Sequence, residues 1–311
     1  MNLFITGALG HIGSGFIHRI PAGLFEEVVL LDNLSTQRYG ALFDLPDDIP
    51  FRFVEGDILT ADLETEFRNV DTVIHLAAIT DAESSVAIPD EVELANLRGT
   101  ERVARACSAT GSNMVFISTT SVYGVQDGEV DEDCPPELLR PQSPYAETKL
   151  RAELLLQDLG AREGLRFVTC RFGTIFGISA GMRFHTAVNK FIWQACTGRP
   201  LTVWSTAADQ SRPYLDLVDA VEALRFIMAR DLFDGAIYNV VTVNTTVRRI
   251  IETISSFVPD VSIEYVETEI MNQLSYQVSN RRFSGKGFEF TGSLAQGVSD
   301  TVHVLRGVRR W

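Results

Sequence analysis

Apolar runs recur along the first half of the chain. "NLFIT" (2–6), "EVVLL" (27–31), "FRFVE" (51–55), "DTVIHL" (71–76), "NMVFIS" (113–118) and "LRFVTC" (165–170) are short and nearly continuous. Such runs predict strands buried on both faces. Stretches with helical spacing separate most of them, at about 11–20, 91–110 and 144–163. Strands alternating with helices predict an α/β fold on a doubly wound parallel sheet. The second half is more mixed. It predicts helices near 184–198, 216–230, 245–257 and 292–308, and short strands near 201–204, 236–240 and 262–266. The chain is expected to leave the sheet between Gly177 and Gly181 for a smaller mixed α/β domain. Residues 1–176, with 214–245 returning, form the expected sheet domain, and 177–311 mainly the second.

Composition narrows the choice of partners. The 311 residues, 45% hydrophobic and 22% charged, are those of an ordinary globular protein. A net charge of −14 argues against general binding to nucleic acid or anionic membranes. It leaves room for an anionic small ligand, because a few local arginines outweigh the global field. Cys107, Cys134, Cys170 and Cys196 are scattered without metal-ligand spacing, so no metal site is expected. Free thiols fit a reducing, cytoplasmic setting. "MNLFITG" runs straight into a strand, and no apolar run reaches membrane-spanning length. The acidic "DGEVDEDCPPE" (127–137) reads as a surface loop.

Two local patterns carry chemistry. "ITGALGHIG" (5–13) follows the first strand and opens the first helix, with Gly7, Gly10 and Gly13 in a G-x-x-G-x-x-G spacing. Glycines there permit a tight turn and close approach of backbone to a pyrophosphate, which helix-start amides then face. Asp32 closes the second strand, 25 residues after Gly7. A carboxylate there accepts hydrogen bonds from a ribose diol and repels a 2′-phosphate, so it favours NAD over NADP. Arg38 nearby speaks the other way, since an arginine there would tolerate such a phosphate. The second pattern is "SPYAETKL" (143–150). Ser143 and Pro144 read as a helix start. Tyr145 and Lys149 then share one helix face near its positive end, where a phenolate is favoured over a phenol. Taken alone, the pair favours the plainer reading of a half-buried tyrosine packed on an aliphatic lysine stem.

With "LLDNLS" (30–35), "GDI" (56–58), "HLAA" (75–78), "NLRGT" (96–100), "STTSVYG" (118–124), "RFGTIFG" (171–177) and "RPYLDLVDAVEAL" (212–224), these patterns cover nearly the whole chain. In this order they resemble the extended short-chain dehydrogenase/reductase family, and within it the nucleotide-sugar epimerase/dehydratase branch. The resemblance implies a Rossmann sheet, bound NAD and a nucleotide-sugar substrate. It implies that Gly7, Gly10, His11, Ile12, Gly13, Asp32 and Asn33 hold the dinucleotide, with Asp57 and Ile58 flanking its adenine. Leu76, Ala77 and Ala78 would line the cofactor channel, Asn96 would hold the turn beneath it, and Phe172 with Gly173 would lie near the nicotinamide. Thr119, Tyr145 and Lys149 take the catalytic positions. The implied roles are a hydroxyl that bonds a substrate oxygen, the base, and the ammonium that lowers the base's pKa and bonds the nicotinamide ribose.

The implied reaction is 4-epimerisation through a 4-keto intermediate. The family's 4,6-dehydratases carry an Asp–Glu pair directly after the Thr, where this chain has Thr120 and Ser121. A 4-ketosugar reductase, a nucleotide-sugar dehydrogenase and a non-catalytic NAD(H)-binding regulator are the alternatives. Arg212 takes the place of the phosphate-contacting arginine. The substrate half also departs from the family. Thr174 stands where Asn is common, an Arg-rich clamp near 270 is replaced by "EIMNQLSYQ", and Ser279 stands at a usual Asp. In "GMRFHTAVNKF" (181–191), Arg183, His185, Asn189 and Lys190 either face the substrate or form the solvated side of a helix with Phe184, Val188 and Phe191 inward. Family precedent implies a homodimer joined through the helices near 91–110 and 144–163.

Overall fold

A computed structural model of the chain describes residues 1–267 and 275–308. Its strands are β1 (Asn2–Thr6), β2 (Glu27–Asp32), β3 (Phe51–Glu55), β4 (Thr72–His75), β5 (Asn113–Thr119), β6 (Glu129–Val130), β7 (Phe167–Phe172), β8 (Thr174–Phe176), β9 (Leu201–Trp204), β10 (Ser211–Asp216), β11 (Ile237–Val240), β12 (Val243–Thr246), β13 (Ile263–Val266) and β14 (Gln277–Val278). Its helices are α1 (His11–Ile17), α2 (Leu63–Glu66), α3 (Pro89–Val92), α4 (Gly99–Thr110), α5 (Pro144–Glu163), α6 (Ala187–Cys196), α7 (Leu217–Ala229), α8 (Val247–Ser255), α9 (Arg281–Ser284) and α10 (Leu294–Leu305).

Seven strands form one sheet in the order β3-β2-β1-β4-β5-β7-β11, all parallel. This is the doubly wound Rossmann order. The strand sequence reverses between β1 and β4, which opens a crevice at the carboxyl ends of those two strands. Each face of the sheet has its own core. Leu3, Ile5, Phe16, Leu30 and Leu224 pack under α1 and α7. Phe4, Val29, Phe67, Phe116 and Leu156 pack under α2, α4 and α5. A third apolar centre gathers Phe176, Phe191, Val203, Tyr214 and Ile250 from α6, α8 and the short sheets. Those sheets are β8-β10-β12, β9-β13 and β6-β14.

The N-terminal strands coincide with the apolar runs. β10 escapes the pattern because Arg212, Pro213 and Asp216 interrupt its apolar residues. β12 likewise precedes the expected 245–257 helix, which begins at Val247. The helix expected from 184 starts only at Ala187. Its expected first turn belongs to a segment drawn across α1. His11 Nε2 pairs with the Gly177 carbonyl at 2.8 Å, the Ser179 hydroxyl donates to the His11 carbonyl at 2.9 Å, and Gly181 N donates to Ser14 Oγ at 2.9 Å. The acidic 127–137 stretch is not wholly a surface loop. The Glu132 side chain is buried there and accepts a bond from Asn239 N at 2.6 Å, and β6 pairs with β14. The stretch near 270 lies outside the described residues apart from its end at 275–277.

The strap over α1 depends on one small residue. A Cβ at Gly181 would stand 2.2 Å from the Leu9 carbonyl oxygen and 2.6 Å from that of Gly10. Both are backbone atoms that cannot swing aside. Gly181→Ala is expected to destabilise the fold by about 1–3 kcal/mol, the usual cost of overpacking. Gly40→Ala, where nothing lies within 4 Å, is expected to change little. Thermal unfolding of the two variants side by side checks this.

Candidate active site

The crevice between β1 and β4 widens into a cleft of ≈ 510 Å³. The β1–α1 turn forms its floor. Gly7 has φ +65°, and a Cβ there would stand 2.6 Å from Ala77 N; a Cβ on Gly13 would stand 2.3 Å from the Ala8 carbonyl oxygen. The turn is therefore drawn close to the chain leaving β4, with bare backbone facing the cleft. Asp32 anchors its rim, accepting from Leu9 N at 3.0 Å and Leu34 N at 2.9 Å. Next to it Asn33 Nδ2 donates to Asp57 Oδ2 at 2.9 Å, which ties the end of β2 to the loop after β3. A shallow glycine cradle with a carboxylate at the end of the second strand fits a dinucleotide. Its ribose would meet Asp32 and its diphosphate the turn.

Of the expected cofactor residues, Gly7, Gly10, His11, Ile12, Gly13, Asp32, Asn33, Asp57, Ile58, Leu76, Ala77, Ala78, Tyr145, Lys149 and Phe172 line this one cleft. Asn96 does not. It is fully buried in a π-helical stretch (Glu93–Arg98) between α3 and α4. Its side chain accepts from Ile79 N at 2.8 Å and donates to the Ile79 carbonyl at 2.9 Å, so it fixes the loop after β4 from behind. Among the expected substrate residues Thr119, Thr174, Arg183 and Arg212 line the cleft, as do His185 and Lys190. Asn189 is fully buried instead, accepting from Gly177 N at 3.3 Å and donating to the Arg183 carbonyl at 3.0 Å. It shapes the strap that carries Arg183.

Thr119, Tyr145 and Lys149 meet where β5 ends against α5. Ser143 Oγ accepts from Ala146 N at 3.2 Å and Pro144 occupies the first turn, so the helix starts where the sequence places it. Lys149 is buried, its Nζ donating to the Ile117 carbonyl at 2.8 Å and standing 4.8 Å from the centre of the Phe116 ring. Burial lowers its pKa to about 7, against the pull of Glu153 one turn on. Burial raises the Tyr145 phenol, while the Thr119 hydroxyl and the Arg183 charge draw it back and Tyr276 pushes it up. The Arg183 cation thus also acts on the phenol from the strap, where it donates to Thr80 Oγ1.

Three residues with a role here were not singled out from the sequence. Thr80 and Asp81 line the cleft just past the apolar end of β4. Tyr276, from far along the chain, places its hydroxyl 3.4 Å from Thr120 Oγ1. Only the position of Thr80 shortly after "HLAA" gave a local hint. Arg38, noted in the sequence for its nearness to Asp32, comes within 3.9 Å of a Cβ position on Gly10 and so also borders the glycine turn.

The family model for the NAD dependent epimerase/dehydratase family matches residues 3–240. The chain belongs to that family. A UDP-glucose 4-epimerase of Azospirillum brasilense is 32% identical, over 71% of this chain and 66% of that one. A trifunctional UDP-glucose 4,6-dehydratase/UDP-4-keto-6-deoxy-D-glucose 3,5-epimerase/UDP-4-keto-L-rhamnose-reductase of Arabidopsis thaliana is 29% identical over 97% of this chain. This chain spans only 46% of that plant protein's length. The crystal structure of the UDP-glucose 4-epimerase of Thermus thermophilus in complex with NAD superposes with a TM-score of 0.84. It is 26% identical, and 99% of each chain is covered. In this epimerase/dehydratase family member the Rossmann sheet and the cleft together account for the glycine turn, Asp32 and the Thr119–Tyr145–Lys149 group.

The buried ammonium gives a pH test. An unfolded chain holds the Lys149 proton up to the ordinary value of 10.5, and the folded chain releases it near about 7. Between those values the unfolded state binds more protons, so this group makes stability rise with pH. Lys149→Met removes that dependence. Its melting temperature is expected to exceed that of the unmodified protein most below about pH 7, and the gap to shrink as pH rises from there towards 10.5. Thermal unfolding across that range measures it.

Proposed function

We propose that this protein is an NAD-dependent epimerase acting at C4 of a sugar attached to a nucleoside diphosphate, through a 4-keto intermediate. The observation that carries this reading is the meeting of Thr119, Tyr145 and Lys149 in the same cleft as the dinucleotide cradle, with Thr120 and Ser121 following Thr119. Tyr145 takes the proton of the sugar's 4-hydroxyl, and Thr119 donates a hydrogen bond to the same oxygen. Lys149 holds a ribose hydroxyl of the cofactor and keeps positive charge under the phenolate. NAD, when bound, supplies reversible hydride transfer at that carbon. Return to the opposite face inverts the centre, and Tyr145 gives back its proton. Dehydration would need an acid beside Thr119. Among the described residues, the carboxylates lining the cleft are Asp32, Asp57, Asp81 and Glu83, none of them on the strand end that carries Thr119.

Residues 1–176 with 214–245 serve the cofactor in this reading, and mainly 177–311 the nucleotide sugar. Arg212 and Thr174 face the sugar nucleotide, with Arg183 between it and Tyr145. We further propose a homodimer through α5 and the helical run Pro89–Thr110, whose Leu154 and Leu94 are exposed. A cytoplasmic setting agrees with four free cysteines. Among the described residues no helix is long and apolar enough to cross a membrane.

Two variants test the roles. Tyr145→Phe keeps the ring and loses the ionisable oxygen. Turnover of a nucleotide sugar is expected to fall roughly 10²–10⁴-fold with the melting temperature and NAD binding retained. Near-normal turnover would remove Tyr145 as the base. Arg212→Ala is expected to raise KM, by the ~1.5–3 kcal/mol of one lost charge-assisted contact, while NAD binding stays as it was. An unchanged KM would take Arg212 away from the diphosphate.

A further inference from the structure

The face of α5 that carries Tyr145 and Lys149 continues one turn further to Glu153. Glu153 is buried against strand ends, and both of its carboxylate oxygens accept hydrogen bonds. Arg171 Nε donates to its Oε1 at 3.0 Å and Arg171 Nη2 to its Oε2 at 2.7 Å, and Ser118 Oγ donates to Oε1 at 2.5 Å. Arg171 belongs to β7, its side chain is 4% exposed, and its guanidinium lies 4.8 Å from the centre of the Tyr123 ring. Ser118 directly precedes Thr119. A buried ion pair is weak evidence of stabilisation, because desolvation offsets the attraction. Something other than stability therefore has to account for its place beside Lys149.

Charge arithmetic at this face supplies it. Lys149 and Arg171 are buried cations, and Glu153 is the anion between them. Three titratable groups packed around Lys149 and Arg171 are neutral. His75, from β4, is held near a pKa of about 3 by burial and by the Lys149 charge. The Tyr123 phenol is pushed up to about 12 and donates to Asn239 Oδ1 at 2.9 Å. Tyr145, on α5 itself, is raised by burial. Without Glu153 the pocket would hold two positive charges. Arginine keeps its proton under all ordinary conditions, so the relief would come from Lys149 losing its own.

We propose that the Glu153–Arg171 pair is a positioning element whose balance of charge sets the protonation of Lys149. Glu153 cancels Arg171 and leaves the ammonium free to donate to the cofactor ribose and to face the phenolate. The pair touches neither substrate nor cofactor and acts only through Lys149. The functional consequence rests on the NAD-dependent reading given above; the charge coupling does not.

The chain has only three lysines, Lys149, Lys190 and Lys286. Protein labelled with ¹³C at lysine Cε therefore gives three signals, assigned with Lys190→Arg and Lys286→Arg, and the Lys149 titration is read directly without cofactor. Glu153→Gln removes the anion and is expected to lower the Lys149 midpoint by about one pH unit or more. Arg171→Met removes the cation, leaves Glu153 to Lys149 alone, and is expected to raise the midpoint by a similar amount. The double variant restores the charge balance and is expected to return it close to the unmodified value. A pair with a merely structural role would move the melting temperature and leave the midpoint unchanged, or move it the same way in both single variants; either result overturns the proposal. If a single variant fails to fold, the double variant and the remaining single variant still decide. The same opposite shifts are expected in the alkaline loss of NAD affinity. A protein that never bound NAD at any pH would sink the epimerase reading while leaving the titration result standing.

Discussion

A buried ammonium at Lys149 is the constraint around which the β5–α5 side of the cleft is organised. An isolated charge taken out of water costs several kcal/mol even after relaxation. The chain surrounds it with what partly offsets that cost. It provides a strand-end carbonyl from Ile117, the face of the Phe116 ring and a carboxylate at Glu153 one helical turn away. Each of these comes from a different part of the fold. β5 must end where it does to aim the Ile117 carbonyl, and α5 must start at Ser143 for Lys149 to reach it. Arg171 must come up on β7 to hold Glu153. The helix start, the strand order and the buried ion pair are thus parts of one electrostatic arrangement.

The second constraint is close approach. The glycine turn leaves bare backbone beside Ala77 on one side and beside Gly181 on the other. The Gly177–Arg183 strap is pinned to α1 through His11, Ser14 and Ser179. It brings Arg183 over the turn and next to Tyr145. The glycine turn and the Thr119–Tyr145–Lys149 group are therefore linked through a segment that belongs to neither β1 nor α5.

What was legible in the sequence follows from these two constraints. The parallel sheet could be read because most of its strands are buried on both faces and so are written as nearly unbroken apolar runs; the edge strand β3, with Arg52 and Glu55 exposed, is the exception. The glycine turn, Asp32 and the Tyr145–Lys149 helix were legible because each is local, with roles fixed by spacing within a few residues. The strap was not. Its shape depends on bonds between residues far apart in the chain, such as Ser14 with Ser179, so its polar residues read equally as substrate-facing groups or as a solvated helix face. Asn189 illustrates the ambiguity, since a buried amide that bonds two backbone groups and an amide that faces a sugar leave the same letter in the sequence. Tyr276 and Glu153 were silent for a related reason. Nothing near either in sequence tells that Thr120 or Arg171 waits across the fold.

The charge distribution bears on the class of ligand. The chain as a whole carries −14, which at long range repels an anionic substrate. Yet Arg38, Arg183, His185, Lys190 and Arg212 all line the one cleft. Charges more than about 10 Å apart are largely screened at ordinary ionic strength, so inside the cleft the local set prevails. Mutual repulsion within that set is visible in His11. Burial first, then Arg183, Arg38 and His185, hold its imidazole down to about 4, and it stays neutral beside the glycine turn. A neutral ring bonded to Gly177 keeps the strap in place without adding to the repulsion. The guanidiniums and the remaining cations are thereby left facing a space that two diphosphate-bearing molecules, a dinucleotide and a nucleotide sugar, would neutralise together.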